Sequence, residues 1–137
     1  MTTLLALDIG GTKVGWGIVE VGQNYTVVER GSIPTEASRG GADVAERICS
    51  LASSLKEAHP EASGVAIASA GVVDPSEGKI VSATDIMPGW GGTPLGKLVE
   101  ERTGLPVRVL NDVHAHGLGE ATLGAGRPYS SVLSIAV

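Results

Sequence analysis

The segment DIGGTK, residues 8–13, carries an aspartate, two adjacent glycines, a threonine and a lysine directly after the apolar run LLAL. Adjacent glycines let a bulky anion approach the backbone N–H groups closely. Thr12 adds a hydroxyl donor and Lys13 a cation, while Asp8 can hold Mg²⁺, through water because that ion gives up its waters reluctantly. These residue types indicate a phosphate cradle, and an ordinary hairpin turn is the alternative that the segment leaves open.

The segment LND, residues 110–112, places two polar side chains after an apolar strand. Side chains that contact ligands gather at the ends of strands in α/β proteins. Asp112 suits a general base that accepts a proton from an attacking hydroxyl, and Asn111 can both donate to and accept from a polyhydroxylated ligand. If a helix begins at Val113, Asp112 can instead be its N-cap.

Two glycine-containing segments lie between these motifs, SAGVVDP at residues 69–75 and SATDIMPGW at residues 82–90. Gly71 permits a ligand to come close to the backbone. Asp74 precedes a proline and is more typical of a turn than of catalysis. For Trp90 the pattern favours a core anchor over the floor of a pocket.

The elements that must position these residues alternate between strands and helices. Apolar runs at residues 3–9, 14–21 and 25–33 are joined by short turns and predict an antiparallel meander of three strands. Residues 40–60 change to a helical period with one apolar face, and Cys49 beside that face is interpreted as a buried small side chain.

A second helix is predicted over residues 93–106, with Thr93 as the N-cap, Pro94 as the first helical residue and Gly104 as the C-terminal stop. The other predicted elements are a strand over 64–74 that runs into a glycine turn, a hairpin arm over 74–84, a strand over 107–112, a helix over 113–124 and a strand that opens at 130. This order predicts an α/β fold, a mixed sheet that begins with the meander and has helices on both faces. The glycines of DIGGTK lead into a strand, which argues against a Rossmann unit.

The composition of the chain excludes several classes of protein and of site. The 137 residues carry a net charge of −5, and the ten basic residues are scattered, so we expect no direct contact with nucleic acid. A single cysteine excludes an internal disulfide and a cysteine-rich metal site. The sequence shows no signal peptide and no apolar run long enough for a membrane helix, so we predict a cytoplasmic protein without membrane contact.

The chain resembles the amino-terminal lobe of the ROK family, which contains bacterial repressors and sugar kinases. Four segments carry the resemblance: LLALDIGGTKVGWGIVE, AIASAGVVDPSEGKIVSATDIMPGW, TPLGKLVEERTGLPVRVLND and HGLGEATLGAG. It implies a ribonuclease-H-like (actin-like ATPase) lobe that binds ATP and a hexose or N-acetylhexosamine in a cleft between two lobes. The phosphate-binding positions that match are Asp8, Gly10, Gly11, Thr12 and Lys13, and the sugar-side positions are Gly71, Asp85, Asn111 and Asp112, the last as catalytic base.

The chain departs from the family pattern at several points. Asp85 stands where many members carry asparagine, which puts that sugar contact in doubt because an ionised carboxylate only accepts hydrogen bonds. After the base, many members read N-A-A where this chain has His114, Ala115 and His116, and the spacing of the two histidines favours surface or packing roles over a metal pair. The structural zinc cluster and the second lobe would lie beyond Val137. We therefore expect an isolated lobe that binds substrates poorly, is inactive or slow, and forms a homo-oligomer.

Two other functions fit the same resemblance. A sugar-responsive repressor would carry a helix-turn-helix domain ahead of the DIGGTK segment, often with that segment degraded, whereas here the first strand starts near Thr3 and the motif is intact. A non-catalytic ATP-binding module would explain DIGGTK but not the pair Asn111 and Asp112. The residues thus favour the kinase.

Overall fold

The protein has a mixed α/β fold, described by a computed structural model over residues 1–134. The described residues form seven strands and three α-helices. In chain order these are β1 (Thr2–Ile9), β2 (Lys13–Val21), β3 (Tyr25–Pro34), α1 (Gly41–Ala58), β4 (Ala62–Ser69), β5 (Val72–Asp74), β6 (Lys79–Ser82), α2 (Leu95–Thr103), β7 (Val107–Asn111) and α3 (Asp112–Thr122).

A five-stranded mixed sheet organises the lobe, with the strand order β3-β2-β1-β4-β7. Strands β1, β2 and β3 are antiparallel neighbours, which confirms the predicted meander. Strands β1, β4 and β7 run parallel, because a helix connects β3 to β4 and another precedes β7. The short strands β5 and β6 form a separate hairpin.

The first face of the sheet is covered by α1 and α2 and contains the core. Alternate residues of β1, including Leu5 and Ile9, are buried there, as period-two patterning requires. On α1 the predicted apolar face is buried through Val44, Ile48 and Leu55, which confirms that helix. Cys49 is also buried, as predicted.

The second face of the sheet is more open. One row of neighbouring residues across the five strands consists of Arg30, Gly17, Ala6, Ala66 and Arg108. The three central residues of this row have small side chains or none, so the middle of this face is not filled by the sheet itself. Helix α3 lies beside this face and has no buried residue, although Val113 and His116 share a groove with Ala6 and Ala66. Helices therefore flank both faces, as predicted, but they cover them unequally.

The start of α2 differs from the prediction. The N-cap is Pro94, not Thr93, and the helix begins at Leu95. Pro94 itself has a non-helical ψ of 64°, and Thr93 is held in the preceding loop by a hydrogen bond from its N–H to the Trp90 carbonyl. The C-terminal stop at Gly104 is confirmed, with a left-handed φ of 72°.

Two other predictions need correction, and one short element was not predicted. The segment 64–74 is divided between β4 and β5, because Gly71 adopts a φ of 98° and ends the pairing with the main sheet. A short 3-10 turn at Ala37–Arg39 was not predicted. Residues 130–134 form no strand, and the rest of that predicted strand, 135–137, lies outside the described residues. None of the helices described here combines the length and the apolar character needed to cross a bilayer.

Candidate functional site

The predicted site residues come together at one edge of the sheet. Strands β1, β4 and β7 are parallel, and their register aligns Ile9 with Ser69 and Ser69 with Asn111. The three strands therefore end level with one another, and the segments that follow them share the carboxyl edge. Ligands of α/β proteins bind at this edge, where backbone groups and loop side chains are not used by the sheet.

The predicted phosphate-loop segment, residues 8–13, contains the tight hairpin turn between β1 and β2. The N–H of Gly10 donates to the carbonyl of Lys13 at 3.0 Å and closes the turn. Gly11, Thr12 and Lys13 are exposed, and the N–H groups of Gly11 and Thr12 have no acceptor within residues 1–134. The hairpin and the anion cradle are thus compatible, because the turn itself leaves two N–H donors and a lysine facing outward.

The loop after β6 lies against this hairpin. A Cβ placed on Gly11 would lie 3.0 Å from the Cγ2 of Ile86, so the two loops approach each other closely at this position. The Ile86 side chain is 72% exposed, and its neighbour Asp85 is exposed as well. The loop thereby brings the predicted sugar-side residue Asp85 next to the predicted phosphate loop.

Gly71 shapes the segment after β4. Its φ of 98° lies in the region that favours glycine, and an added Cβ would lie 2.7 Å from the Ser82 carbonyl oxygen. Its own carbonyl accepts a hydrogen bond from Nδ2 of Asn111 at 2.5 Å. Gly71 is therefore required by the backbone, and it links the ends of β4 and β7.

Asn111 is the N-cap of α3. Its Oδ1 accepts from the N–H of Val113 at 3.0 Å and from the N–H of His114 at 3.2 Å. The alternative that Asp112 is the cap is therefore wrong. Both ends of the Asn111 amide are used within the protein, and its predicted contact with a sugar stays a prediction.

Asp112 is the first residue of α3 and is half-buried. Its Oδ1 accepts from the N–H of Val113 at 2.9 Å, and its Oδ2 has no partner in the described part of the chain. Because Asn111 supplies the cap, one carboxylate oxygen of Asp112 remains available to a ligand. His114 and His116 are exposed on the same helix, as predicted.

Asp8 and Asp112 line the same groove, which has a volume of about 950 Å³ and lies on the second face of the sheet. Asp8 on β1 pairs with Ala68 on β4, and Ala68 pairs with Leu110 on β7, two residues before Asp112. Strand spacing and residue rise place the two Cα atoms on the order of 12 Å apart. The two aspartates therefore lie apart along the groove rather than side by side.

The acidic residues of the groove fit a magnesium ion bound mainly through phosphate and water. Across residues 1–134 no three histidine, cysteine, aspartate or glutamate side chains lie close enough together to hold a metal. Mg²⁺ usually takes one or two carboxylates together with substrate phosphates and keeps several waters. The exposed Asp8 at the foot of the phosphate loop suits that mode of binding.

Two buried polar residues, Ser69 and Thr35, were missed by sequence reasoning. The Nε1 of Trp90 donates to the Ser69 Oγ at 3.2 Å, which ties the loop after β6 to the end of β4. Trp90 is fully buried, so its predicted role as a core anchor is confirmed. No pattern in the sequence marks Ser69 or Thr35, because a single serine or threonine at a strand end is common.

A second cavity, of about 720 Å³, lies between α1 and α2. It is lined by Cys49 and by the ion pair between Glu46 and Arg102, whose Oε2 and Nη2 atoms are 2.7 Å apart. Burial raises the pKa of the Cys49 thiol, which keeps it protonated. None of the predicted site residues lines this cavity.

Comparison with known proteins relates the chain to sugar kinases. It is 34% identical to an uncharacterised protein of Clostridium perfringens, and the match covers the whole chain and 45% of that protein. It is 32% identical to a glucokinase of Streptomyces coelicolor, over 98% of the chain and 40% of that protein. An N-acetylmannosamine kinase of Salmonella arizonae is 33% identical over 86% of the chain and 38% of its own length. The chain thus spans less than half the length of the relatives that it matches.

Solved structures share the fold. A ROK family glucokinase from Streptomyces griseus in complex with glucose and AMPPNP has a TM-score of 0.76 and 31% identity, over 90% of this chain and 38% of that one. A ROK family transcriptional regulator, a homolog of the E. coli MLC protein, has a TM-score of 0.80 at 21% identity, over 93% and 32%. The fold itself is therefore common to kinases and regulators.

The likeness to these structures confirms the predicted ribonuclease-H-like (actin-like ATPase) lobe. The model of the ROK family matches residues 4–137, which is nearly all of the chain. That match includes the phosphate-loop hairpin, Gly71 and Asp112. This chain belongs to the ROK family.

Proposed function

We propose that this chain is the amino-terminal lobe of an ATP-dependent sugar kinase that phosphorylates a hydroxyl of a hexose or an N-acetylhexosamine. The sugar class follows from the glucokinases and N-acetylmannosamine kinases among its relatives. A second lobe, outside residues 1–137, would complete the cleft. The relatives are more than twice as long as the part that the chain matches.

One observation carries the proposal: Asp112 has a carboxylate oxygen without a partner among the described residues and shares a groove with Asp8. A general base needs a lone pair that the fold does not already use. Here Asn111 performs the capping that Asp112 would otherwise provide. The helix end is thus satisfied without using up the base.

The residues of the site then have distinct tasks. Asp112 accepts the proton of the sugar hydroxyl as the oxygen of that hydroxyl attacks the terminal phosphorus of ATP. The new P–O bond to the sugar forms as the bond between that phosphorus and the bridging oxygen breaks, and ADP is the leaving group. The N–H groups of Gly11 and Thr12, with the Lys13 ammonium, bind phosphate oxygens. Gly71 and Asp85 border the sugar. A magnesium ion held near Asp8 would neutralise phosphate charge.

The test is sugar-dependent ATP consumption by the complete protein with a panel of hexoses and N-acetylhexosamines. Asp112→Asn keeps the shape of the side chain but removes the proton acceptor, so kcat should fall by about a hundredfold or more. Sugar binding, measured by calorimetry, should change little. Undiminished turnover in Asp112→Asn would remove this residue from the role of base.

A matched control is Asp74→Asn. Asp74 is also an aspartate at a strand end, since it is the last residue of β5. Its Oδ1, however, accepts hydrogen bonds from the N–H and the hydroxyl of Ser76 in a turn. The kcat of the Asp74→Asn protein should stay within about twofold of the wild-type value, because an asparagine fits the same turn. A complete protein that consumes no ATP with any sugar, but binds duplex DNA in a sugar-dependent way, would instead be a regulator.

A further inference from the structure

Thr35 is a buried polar residue next to the phosphate loop. It directly follows β3, and its residue surface is 1% exposed. Its Oγ1 donates to the carbonyl of Gly10 at 2.7 Å, and its backbone N–H donates to the carbonyl of Thr12 at 2.9 Å. A single residue thus holds the two carbonyls on either side of Gly11.

The geometry of the peptide unit converts these contacts into an orientation of N–H groups. In a trans peptide the C=O and the following N–H point in opposite directions, and the described residues contain no cis peptide. When the Gly10 carbonyl points inward to Thr35, the N–H of Gly11 must point outward. That N–H is one of the two that lack an acceptor in the residues described.

The peptide between Gly10 and Gly11 is the one in this loop that most needs such a restraint. Glycine on both sides allows the peptide to rotate by half a turn at little steric cost, because neither residue carries a Cβ. After that rotation the Gly10 carbonyl oxygen would face the position of the phosphate and would repel an anion. The Gly11 N–H would then be unavailable to the ligand.

We propose that Thr35 is a positioning residue for phosphate binding, whose buried hydroxyl locks the Gly10–Gly11 peptide with its N–H toward the nucleotide phosphates. This role rests on the proposed kinase function, since it concerns the same cradle. Thr35 itself does not touch the ligand. It acts through the backbone, from the position directly after β3, and the ligand that it favours is the anionic phosphate chain of a nucleotide.

The experiment compares Thr35→Val with Thr35→Ser in the complete protein. Valine keeps the branched shape and removes the hydroxyl, whereas serine keeps the hydroxyl and removes a methyl group. For Thr35→Val we expect the KM for ATP and the Kd for MgADP to rise about tenfold, as for the loss of one hydrogen bond to a charged group. The KM for the sugar should stay within about twofold, and Thr35→Ser should restore nucleotide affinity.

A purely structural role for Thr35 predicts a different pattern. It would lower the melting temperature and leave the KM for ATP unchanged, or raise the KM values for ATP and sugar together, and either result would overturn the inference. Folding of each variant is checked by circular dichroism. A folded Thr35→Val protein with wild-type affinity for MgADP would likewise overturn it.

The failure of the kinase proposal is distinguishable from the failure of this inference. If the wild-type protein neither consumes ATP nor binds MgADP, the proposed function is wrong. The orientation of the loop is then read from the amide resonances of Gly10 and Gly11. Thr35→Val should broaden or double them through exchange between two peptide orientations, and Thr35→Ser should not. Single, sharp resonances in both variants would contradict the locking role.

Discussion

At the scale of single residues, the candidate site depends on how neighbouring polar groups divide their hydrogen bonds. Asn111 and Asp112 are adjacent, and either side chain can cap a helix. Asn111 does so and also holds the Gly71 carbonyl with its Nδ2. This division leaves an Asp112 oxygen without a partner among the residues described and joins two strand ends. Asn111 therefore has a role in the fold whether or not a sugar also contacts it.

Two substitutions separate the hydrogen bonds of Asn111. Asn111→Ala removes the cap and the bond to Gly71, and it should lower the free energy of unfolding by about 2 kcal/mol. Asn111→Ser keeps an oxygen that can cap the helix and loses the bond to Gly71, so we expect a smaller loss, on the order of 1 kcal/mol. Urea unfolding of the two variants and the wild type measures both. Equal losses would contradict the assignment of separate bonds to the two ends of the amide.

At the scale of elements, contacts between strand and helix ends fix the meander against the rest of the lobe. His59 at the C-cap of α1 forms ion pairs with Glu29 on β3, at 2.7 Å, and with Glu61 just before β4, at 3.2 Å. Burial of the ring lowers the pKa of His59, but the hydrogen bonds and charges of the two glutamates outweigh it and raise the pKa above its ordinary value. The protonated ring therefore links three elements.

This histidine makes the stability of the lobe depend on pH. A raised pKa in the folded protein means that the contribution is fully present below the unfolded pKa of about 6.5 and is lost as the pH rises through the folded value. We expect the wild type to lose stability relative to His59→Gln as the pH rises above about 6.5, the ordinary pKa of histidine. Thermal unfolding of both proteins below and above that pH tests this. A difference between them that does not change with pH would show that the ring stays in one protonation state.

At the scale of the whole molecule, the two faces of the sheet have different roles. The first face is filled by α1 and α2, and Ile67 of β4 is buried there. The second face carries the small residues Ala6, Ala66 and Ala68 and lines the groove that contains Asp8 and Asp112. The core is thus kept to one side, and the other side offers space at the candidate site.

The unequal faces predict opposite outcomes for two adjacent positions. Ile67→Ala removes buried atoms and leaves a cavity, so it should lower the free energy of unfolding by about 2–5 kcal/mol. Ala66→Ser changes an exposed side chain on the second face and should stay within about 0.5 kcal/mol of the wild type. Denaturant unfolding measures both values. A large loss for Ala66→Ser would mean that the second face is packed against something in solution.

Much of this fold follows from the sequence alone, because its main signals are local. The alternation in β1 and β2 and the spacing of Val44, Ile48 and Leu55 each reflect one face of one element against one core. The glycine pair of DIGGTK likewise predicts a turn with accessible N–H groups, and the strand end before Asp112 predicts its place at the carboxyl edge. These features need no knowledge of distant residues.

Other features were decided only by tertiary structure, because they are contacts between residues far apart in the chain. The choice of Asn111 over Asp112 as cap depends on the Gly71 carbonyl, 40 residues earlier. The shift of the α2 start to Leu95 depends in part on the N–H of Ile80 on β6, which donates to the Thr93 carbonyl at 2.9 Å and holds Thr93 in the loop. Thr35 lies 25 residues after Gly10 in the sequence. Only the pairing of β3 with β2 brings its Oγ1 to within 2.7 Å of the Gly10 carbonyl oxygen. A sequence specifies the local preference of each residue, but the packing of strands decides which partner each polar group finds.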